Sequence, residues 1–201
     1  RMFIQEGTKV KLDDLLRGIV IQSGNDASVA LAEHIAGSEE AFADLMNQHV
    51  LRLGMVDTNF VNSTGWPDEN HYTSARDLAN LAIGLINSHP EHYKIYSEKT
   101  FTFNDITQRN RNSLLFRDNT VDGVKTGHTD AAGYCLVSSA MRNGMRLVSV
   151  VMGANSESSR STESQKLLTY GFRYFETVNL YKRDVSLRKV RVWGGTHQSI
   201  N

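Results

Sequence analysis

Two strand-like segments joined by a tight turn constrain the fold of this chain most strongly. Tyr134–Met141 and Arg146–Ala154 are predicted strands, and Arg142-Asn143-Gly144 lies between them. Asn-Gly is a strong signal for an antiparallel hairpin, because both residues tolerate positive φ. A helix is predicted over Ser161–Phe175, directly after the second strand, where it can pack on the hairpin.

The first half of the chain has helical periodicity. Apolar residues recur every three or four positions, and turn or cap residues separate four predicted helices. These helices are expected around Leu12–Val20, over Ala27–Ala36, between Ser38 and Gly54, and from Ser74 to just before Pro90. Thr100–Ile106 alternates and is expected to be a strand. Helices, then a hairpin, then a helix predict an α+β fold in which a helical cluster packs on an antiparallel sheet.

Charge and cysteine content narrow the class of protein. The 201 residues include 22 Lys plus Arg and 22 Asp plus Glu, and this balance gives no support for nucleic-acid binding. No apolar stretch approaches the ~20 residues of a membrane span. The single cysteine, Cys135, rules out an internal disulfide. The seven histidines show no metal-binding spacing, so no metal or cofactor is expected.

Ser23-Gly24-Asn25 lies at the junction of the first two predicted helices. The glycine permits a sharp turn, and the flanking hydroxyl and amide are both able to donate and accept hydrogen bonds. The same three residue types also suit an ordinary helix-to-helix turn. Taken alone, the motif therefore leaves a catalytic role and a structural role open.

Lys125-Thr126-Gly127 is expected to precede the strand pair. A cation beside a short hydroxyl suits the terminal carboxylate of a substrate, and Gly127 would let a substrate backbone approach closely. A solvated turn at the edge of a strand explains the same residues. The motif therefore has two interpretations when it is read by itself.

Together the two motifs resemble those of the penicillin-recognising serine enzymes. Lys125 follows Ser23 by 102 positions, in the order of that family. The flanking sequences match as well. The matching segments include Gly18-Ile19-Val20-Ile21-Gln22, Ser74-Ala75-Arg76-Asp77, Asn110-Arg111-Asn112 and Gly133-Tyr134. The chain resembles the D-alanyl-D-alanine carboxypeptidases among the low-molecular-mass penicillin-binding proteins, in the group of penicillin-binding proteins 5 and 6.

This resemblance implies a serine acyl transferase that removes the last D-alanine from peptidoglycan stem peptides and is inhibited by β-lactams. It implies catalytic roles for Ser23 as a proton shuttle, for Asn25 in holding the substrate and the catalytic lysine that neighbours the family's nucleophile, and for Lys125 as the cation that polarises the site. It implies substrate-binding roles for six further residues: Thr126, Gly127, His128, Thr129, Arg111 and Arg160. The backbone N–H of His128 would belong to the oxyanion hole.

The family's first motif, a nucleophilic Ser followed three residues later by Lys, is expected several tens of residues before Ser23. Only 22 residues precede Ser23, and the chain's single Ser-x-x-Lys is Ser186 to Lys189 in a charged stretch. We interpret that match as a coincidence. We therefore expect the nucleophile upstream of Arg1, and we expect these 201 residues alone to be catalytically inactive.

Two other functions remain open. A class A-like β-lactamase shares the Lys-Thr-Gly element but needs a loop glutamate, for which the loop after Asn62 offers Asp68 and Glu69. A non-catalytic peptidoglycan-binding or scaffold module would bind D-Ala-D-Ala peptides without turning them over.

The resemblance also implies a cellular location and a domain arrangement. It implies export to the periplasm or the outer face of the cytoplasmic membrane, with membrane association only through a C-terminal anchor outside these residues. Residues 1–183 would form part of the penicillin-binding domain. Residues 184–201 would be a linker and the first strand of a β-rich second domain.

Overall fold

A computed structural model describes residues 1–181, 185–188, 190–191, 193–196 and 199–200. The helices are α1 Leu12–Gln22, α2 Asn25–Ala36, α3 Glu39–Arg52, α4 Ala75–Ser88, α5 Pro90–Tyr93 and α6 Glu157–Tyr174. The strands are β1 Thr100–Phe103, β2 Ile106–Arg109, β3 Val121–Thr129, β4 Gly133–Arg142, β5 Met145–Ala154, β6 Val190–Arg191 and β7 Ser199–Ile200. The predicted α+β fold is confirmed.

The central sheet is antiparallel and runs in the order β3-β4-β5. Alternate residues of β4 point to opposite faces. Leu136 and Ala140 pack against Leu168 of α6 on one face. On the other face, Val137 packs with Ala82 of α4 and with Val124 of β3. The sheet is therefore the middle layer between α6 and α4, which explains why both of its faces carry apolar residues.

The first helices and the β1–β2 hairpin form a second core beside the sheet. Ile21 at the end of α1 and Ala27 in α2 are fully buried, and they pack with Met2 and Phe101. Gln22 donates a hydrogen bond of 2.9 Å to the carbonyl of Arg109, which ties the end of α1 to β2. This packing places the α1–α2 junction next to β3.

Serine caps begin three of the helices. Ser38 and Ser74 accept hydrogen bonds from the N–H groups of Ala41 and Asp77, at 3.1 and 3.2 Å, as expected for N-caps. Both predicted helix starts are confirmed. Helix α6 begins at Glu157, four residues before the predicted Ser161, because Ser156 supplies the cap.

The predicted strand over Thr100–Ile106 is wrong in extent. Asn104 and Asp105 adopt φ values of 48° and 61° and form a two-residue turn between β1 and β2. Asn and Asp tolerate this left-handed conformation better than most residues. The segment is therefore a hairpin that continues to Arg109.

The expected second domain stays a prediction. Strands β6 and β7 pair antiparallel. The predicted domain boundary between residues 183 and 184 lies outside the described residues, and so do Lys189 and Val192. Among the helices that the structure describes, none has the length and apolar character to cross a membrane.

Candidate active site

Ser23 ends helix α1 in a conformation that favours glycine. Its φ and ψ are 55° and 48°, in the left-handed region. The N–H groups of Ser23 and Gly24 close the helix on the carbonyls of Ile19 and Gly18, both at 3.0 Å. A serine in this conformation carries a backbone strain of roughly 1–2 kcal/mol. Strain of this kind is typical of positions where the side chain itself is required.

The Lys125 side chain reaches back to this serine. Its Nζ donates hydrogen bonds to the hydroxyl of Ser23 and, at 2.9 Å, to the carbonyl of Thr126. The two sequence motifs therefore meet in space. Contrary to expectation, Lys125-Thr126-Gly127 lies inside strand β3 and not in a turn before the strand pair, because Val121–Thr129 pairs along β4.

Burial and two neighbouring guanidinium groups lower the pKa of Lys125 to about 8. Burial has the largest effect, followed by the positive charges of Arg111 and then Arg160. Lys125 is still mostly protonated at neutral pH. It loses its charge over a range of alkaline pH in which an ordinary lysine stays protonated.

The two arginines reach the site from different elements. Arg160, near the start of α6, is 3% exposed and donates a hydrogen bond of 3.1 Å to the carbonyl of Gly127. Burial is the main cause that lowers the pKa of Arg160. Arg111, which follows β2, is exposed and forms no ion pair with a described residue. With Lys125, these side chains make one end of the site strongly cationic.

The remaining residues of the β3 motif present polar groups beside these cations. The Thr126 hydroxyl makes no hydrogen bond to a described residue. Thr129 Oγ1 accepts a hydrogen bond of 2.9 Å from the N–H of Ala132, so its own hydrogen is free to be donated. The ring of His128 is exposed and lies against the Tyr134 ring, with the ring centroids 4.0 Å apart and the planes tilted by 37°.

Asn25 adjoins the α1–α2 junction, where its expected role in holding the substrate and the family's catalytic lysine stays a prediction. It is the first residue of α2, it is exposed, and its side chain makes no hydrogen bond within the described part of the chain. The adjacent Asp26 has a structural role. Its carboxylate accepts hydrogen bonds from the N–H groups of Met2, at 2.8 Å, and of Phe3, at 2.7 Å. Although burial opposes the charge, these and other backbone bonds lower the pKa of Asp26.

Buried asparagines outside the expected site hold β3 and Arg111 in place. Asn112, 1% exposed, donates a hydrogen bond of 3.0 Å to the carbonyl of Gly123 in β3. Asn110 accepts one of 2.9 Å from the N–H of Asn112. The Asn110-Arg111-Asn112 sequence was one signal of the resemblance, but nothing in it distinguished the buried asparagines from surface ones.

A second support for β3 lies on the α4 side of the sheet. Asp122 forms a salt bridge of 2.7 Å with Arg146 of β5 and accepts a hydrogen bond of 3.1 Å from the Tyr93 hydroxyl. Tyr93 is buried beside Gly123, where an added Cβ would overlap the Tyr93 hydroxyl. Because β3 is held from both sides, the position of Lys125 is well determined.

Other candidate groups lie apart from this site. Asp68 and Glu69 are exposed, and no hydrogen bond among the described residues connects them with Ser23 or Lys125. Ser186 is exposed, and its partner Lys189 lies outside the described residues. The described residues contain no group of three or more His, Cys, Asp and Glu side chains arranged to hold a metal ion.

The sequence and the fold are similar to known proteins. The family model described as D-alanyl-D-alanine carboxypeptidase matches residues 1–156. The chain is 49% identical over 201 residues to the D-alanyl-D-alanine carboxypeptidase DacC of Escherichia coli strain K12, a match that covers 100% of this chain and 50% of that protein. The chain thus spans about half the length of the curated relatives it matches.

Two solved structures share the fold. Penicillin binding protein 5 from Haemophilus influenzae is 48% identical with a TM-score of 0.92, over 100% of this chain and 59% of that one. Penicillin-binding protein D2 from Listeria monocytogenes, solved with ampicillin bound, is 33% identical with a TM-score of 0.73, over 79% of this chain and 66% of that one.

The strain at Ser23 gives a prediction about stability. Ser23→Gly relieves the left-handed strain and loses the hydroxyl, whereas Ser23→Ala loses the hydroxyl and keeps the strain. We expect the free energy of unfolding of the Gly variant to exceed that of the Ala variant by roughly 1 kcal/mol. Urea unfolding of both variants measures the difference. An Ala variant as stable as the Gly variant would show that the backbone at Ser23 is unstrained.

Proposed function

The chain belongs to the D-alanyl-D-alanine carboxypeptidase family, and on that premise we propose that the whole protein removes the terminal D-alanine from peptidoglycan stem peptides through an acyl-enzyme. The observation that carries the proposal is the contact between Lys125 and Ser23 beside a cluster of cations. A hydroxyl held by a lysine of lowered pKa is able to relay a proton, and the cations suit a free carboxylate.

The carboxylate of the leaving D-alanine binds at the cationic end. Arg111 is exposed and unpaired within the described residues, so its guanidinium is available to a ligand. The hydroxyl of Thr126 and the remaining donor of Thr129 add short hydrogen bonds to the same group. Arg160 acts mainly through Gly127, since its buried guanidinium holds that carbonyl.

The scissile carbonyl lies beside the backbone of His128 and the hydroxyl of Ser23. The attacking serine oxygen forms a bond to the carbonyl carbon, and the His128 N–H stabilises the oxyanion. The attacking serine gives its proton to the lysine base of its own motif. When the carbon–nitrogen bond breaks, Ser23 passes a proton to the leaving amine and takes up the proton that this base received, while Lys125 holds the Ser23 hydroxyl in position. Water then hydrolyses the acyl-enzyme and releases the shortened peptide.

We propose that the attacking serine lies in a part of the protein outside these 201 residues and that this chain alone does not turn over substrate. The exposed Ser186 is a poor candidate, since a nucleophilic serine requires an activating base within hydrogen-bond reach and Ser186 forms no such bond with a described residue. Ser23 is the one serine that contacts Lys125 within the described part of the chain, and the experiment below tests it as the alternative nucleophile.

Family membership also supports a location and partners. We propose that the enzyme acts at the periplasmic or outer face of the cytoplasmic membrane, where its stem-peptide substrate is found. The ampicillin-bound relative supports β-lactams as inhibitors. A C-terminal β-rich domain with a membrane anchor is part of the same proposal.

The test is acylation of the whole protein by benzylpenicillin, followed by intact mass and peptide mapping. We expect one penicilloyl group, attached to a serine outside residues 1–201, and we expect the untreated protein to release D-alanine from a D-Ala-D-Ala peptide. An adduct on Ser23 would overturn the role of Ser23 as a proton relay. Binding of the peptide with neither adduct nor alanine release would favour a non-catalytic module, and rapid turnover of the penicillin would favour a β-lactamase.

The lowered pKa of Lys125 predicts an alkaline limit to carboxylate binding. As pH rises through about 8, Lys125 loses its proton, and the rate constant for acylation by benzylpenicillin is expected to fall.

Arg111→Gln removes a charge that lowers the pKa of Lys125, so the alkaline fall in the acylation rate constant moves to higher pH. The same variant loses a charge-assisted bond worth about 1.5–3 kcal/mol, and acylation slows roughly ten-fold or more.

Arg52→Gln is the matched control, because Arg52 is an exposed arginine at the end of α3. Its acylation rate and pH profile should equal those of the wild type. A pH profile of Arg111→Gln that keeps the wild-type position of the alkaline fall would contradict the assignment of that fall to Lys125.

A further inference from the structure

A long loop between α3 and α4 is held firmly on the helical part of the fold. Residues 53–74 belong to no helix or extended strand, and we call them the α3–α4 loop. Ser63 donates two hydrogen bonds to the Glu39 carboxylate, from its N–H at 2.9 Å and from its hydroxyl at 2.6 Å. Asn47 of α3 donates one of 2.7 Å to the Phe60 carbonyl and accepts one of 2.8 Å from the Phe60 N–H. Loops of this length without secondary structure of their own are usually functional in compact domains.

One asparagine holds the tip of the α3–α4 loop. Asn62 Oδ1 accepts hydrogen bonds from the N–H groups of Gly65, at 2.8 Å, and of Trp66, at 3.0 Å. Asn62 Nδ2 donates one of 2.9 Å to the carbonyl of Trp66. Gly65 supplies the positive φ of 76° that this tight turn requires. The backbone of Trp66 is therefore fixed from both directions.

The side chain of Trp66 points away from this fixed backbone into solvent. It is 69% exposed, although tryptophan is highly buried on average. An aromatic ring presented by an ordered loop is typical of binding sites, because the ring offers a large contact area and the loop is already in place. A ligand that binds there does not have to order the loop, so less of its contact energy is lost.

The surroundings of Trp66 favour a small and uncharged ligand. Residues 65–70 are all exposed, and Trp66 is the one large apolar side chain among them. The α3–α4 loop contains no lysine or arginine, so it does not match an anion. One ring among polar side chains is also much smaller than the roughly 800 Å² that each partner contributes to a specific protein complex.

A sugar ring matches this combination of groups. The C–H face of a pyranose stacks on an aromatic ring, and its hydroxyl and acetamido groups bind carboxylates and amides. Asp68 and Glu69, two exposed carboxylates, follow Trp66 closely in the chain. One oxygen of Asp68 accepts a hydrogen bond of 2.8 Å from the Asn70 N–H, and the other forms no hydrogen bond with a described residue.

We propose that Trp66 is a binding site for the glycan strand of peptidoglycan, with its indole ring stacked on the face of one N-acetylated sugar. The stem peptide of the proposed reaction is attached to such a strand, so the substrate itself supplies the ligand. The inference rests on the proposed carboxypeptidase function and adds a contact with a part of the substrate that does not react. From the usual strength of aromatic contacts, we expect this contact to change affinity by about two- to ten-fold.

The experiment compares two substrates with the whole protein. Both carry the same stem pentapeptide ending in D-Ala-D-Ala, which is free in one and linked to a peptidoglycan tetrasaccharide in the other. Release of D-alanine gives kcat and KM for each. We expect kcat/KM to be about two- to ten-fold higher for the linked peptide, mainly through a lower KM, because a contact with a remote group binds substrate and transition state alike.

Variants at position 66 assign this preference to the loop. The readout is the ratio of kcat/KM for the linked peptide to that for the free peptide, which does not depend on the amount of folded protein. Trp66→Ala should bring the ratio close to one, whereas Trp66→Phe keeps an aromatic ring and should retain part of it. Trp193→Ala is the matched control, since Trp193 is an 80% exposed tryptophan of the tail, and it should keep the wild-type ratio.

Three results are decisive against the proposal or its premise. An unchanged ratio in Trp66→Ala would overturn the glycan site. A wild-type ratio of one would overturn it as well and would leave the exposed ring to a protein partner. Release of D-alanine from neither peptide by the wild type would instead contradict the proposed function.

Discussion

The hydrogen bond from Lys125 to Ser23 joins two parts of the chain that are 102 residues apart, and the arrangement of the site depends on it. Ser23 is displayed by the left-handed end of α1, whereas Lys125 comes from the middle of β3. The contact requires the helical core and the sheet to be correctly placed against each other. It also requires a partly buried lysine close to two arginines. Burial and the two neighbouring positive charges disfavour protonated Lys125, and its pKa is lowered for that reason.

Hydrogen bonds and a salt bridge hold β3 in position and keep Lys125 beside Ser23. Asn112 binds the Gly123 carbonyl, and the Asp122–Arg146 salt bridge holds the neighbouring residue from the opposite side of the sheet. Arg160 binds the carbonyl of Gly127 farther along the strand. These bonds position a strand that is rich in glycine and polar residues, which would otherwise be weakly determined.

The sequence predicted much of the fold because its signals were local. The Asn143-Gly144 turn and the caps at Ser38 and Ser74 specify their structures within a few residues. Strand β3 was missed as a strand, since two glycines, Asp122 and Lys125 lower its intrinsic strand propensity, and it forms through pairing with β4. The hairpin turn at Asn104 and Asp105 was missed because the alternating pattern continues to its first residue.

For the site, the two motifs predicted which residues would meet, but not what holds them. The bonds from Asp26 to residues 2–4 and from Asn112 to β3 connect segments distant in sequence, and no local pattern signals them. The expected role of Asn25 stays a prediction, since its exposed side chain forms no hydrogen bond with a described residue. Local spacing predicts neighbours along a helix or strand, whereas side-chain direction depends on the packed structure.

The coupling between Ser23 and Lys125 is the most direct test of this account. A double-mutant cycle with Ser23→Ala and Lys125→Met in the whole protein would measure the rate constant for acylation by benzylpenicillin. If the two side chains act as one unit, the double variant should be little slower than Lys125→Met alone, with a coupling energy above about 1 kcal/mol. Effects that add to within about 0.5 kcal/mol would show that the two residues act independently, and the account would be wrong.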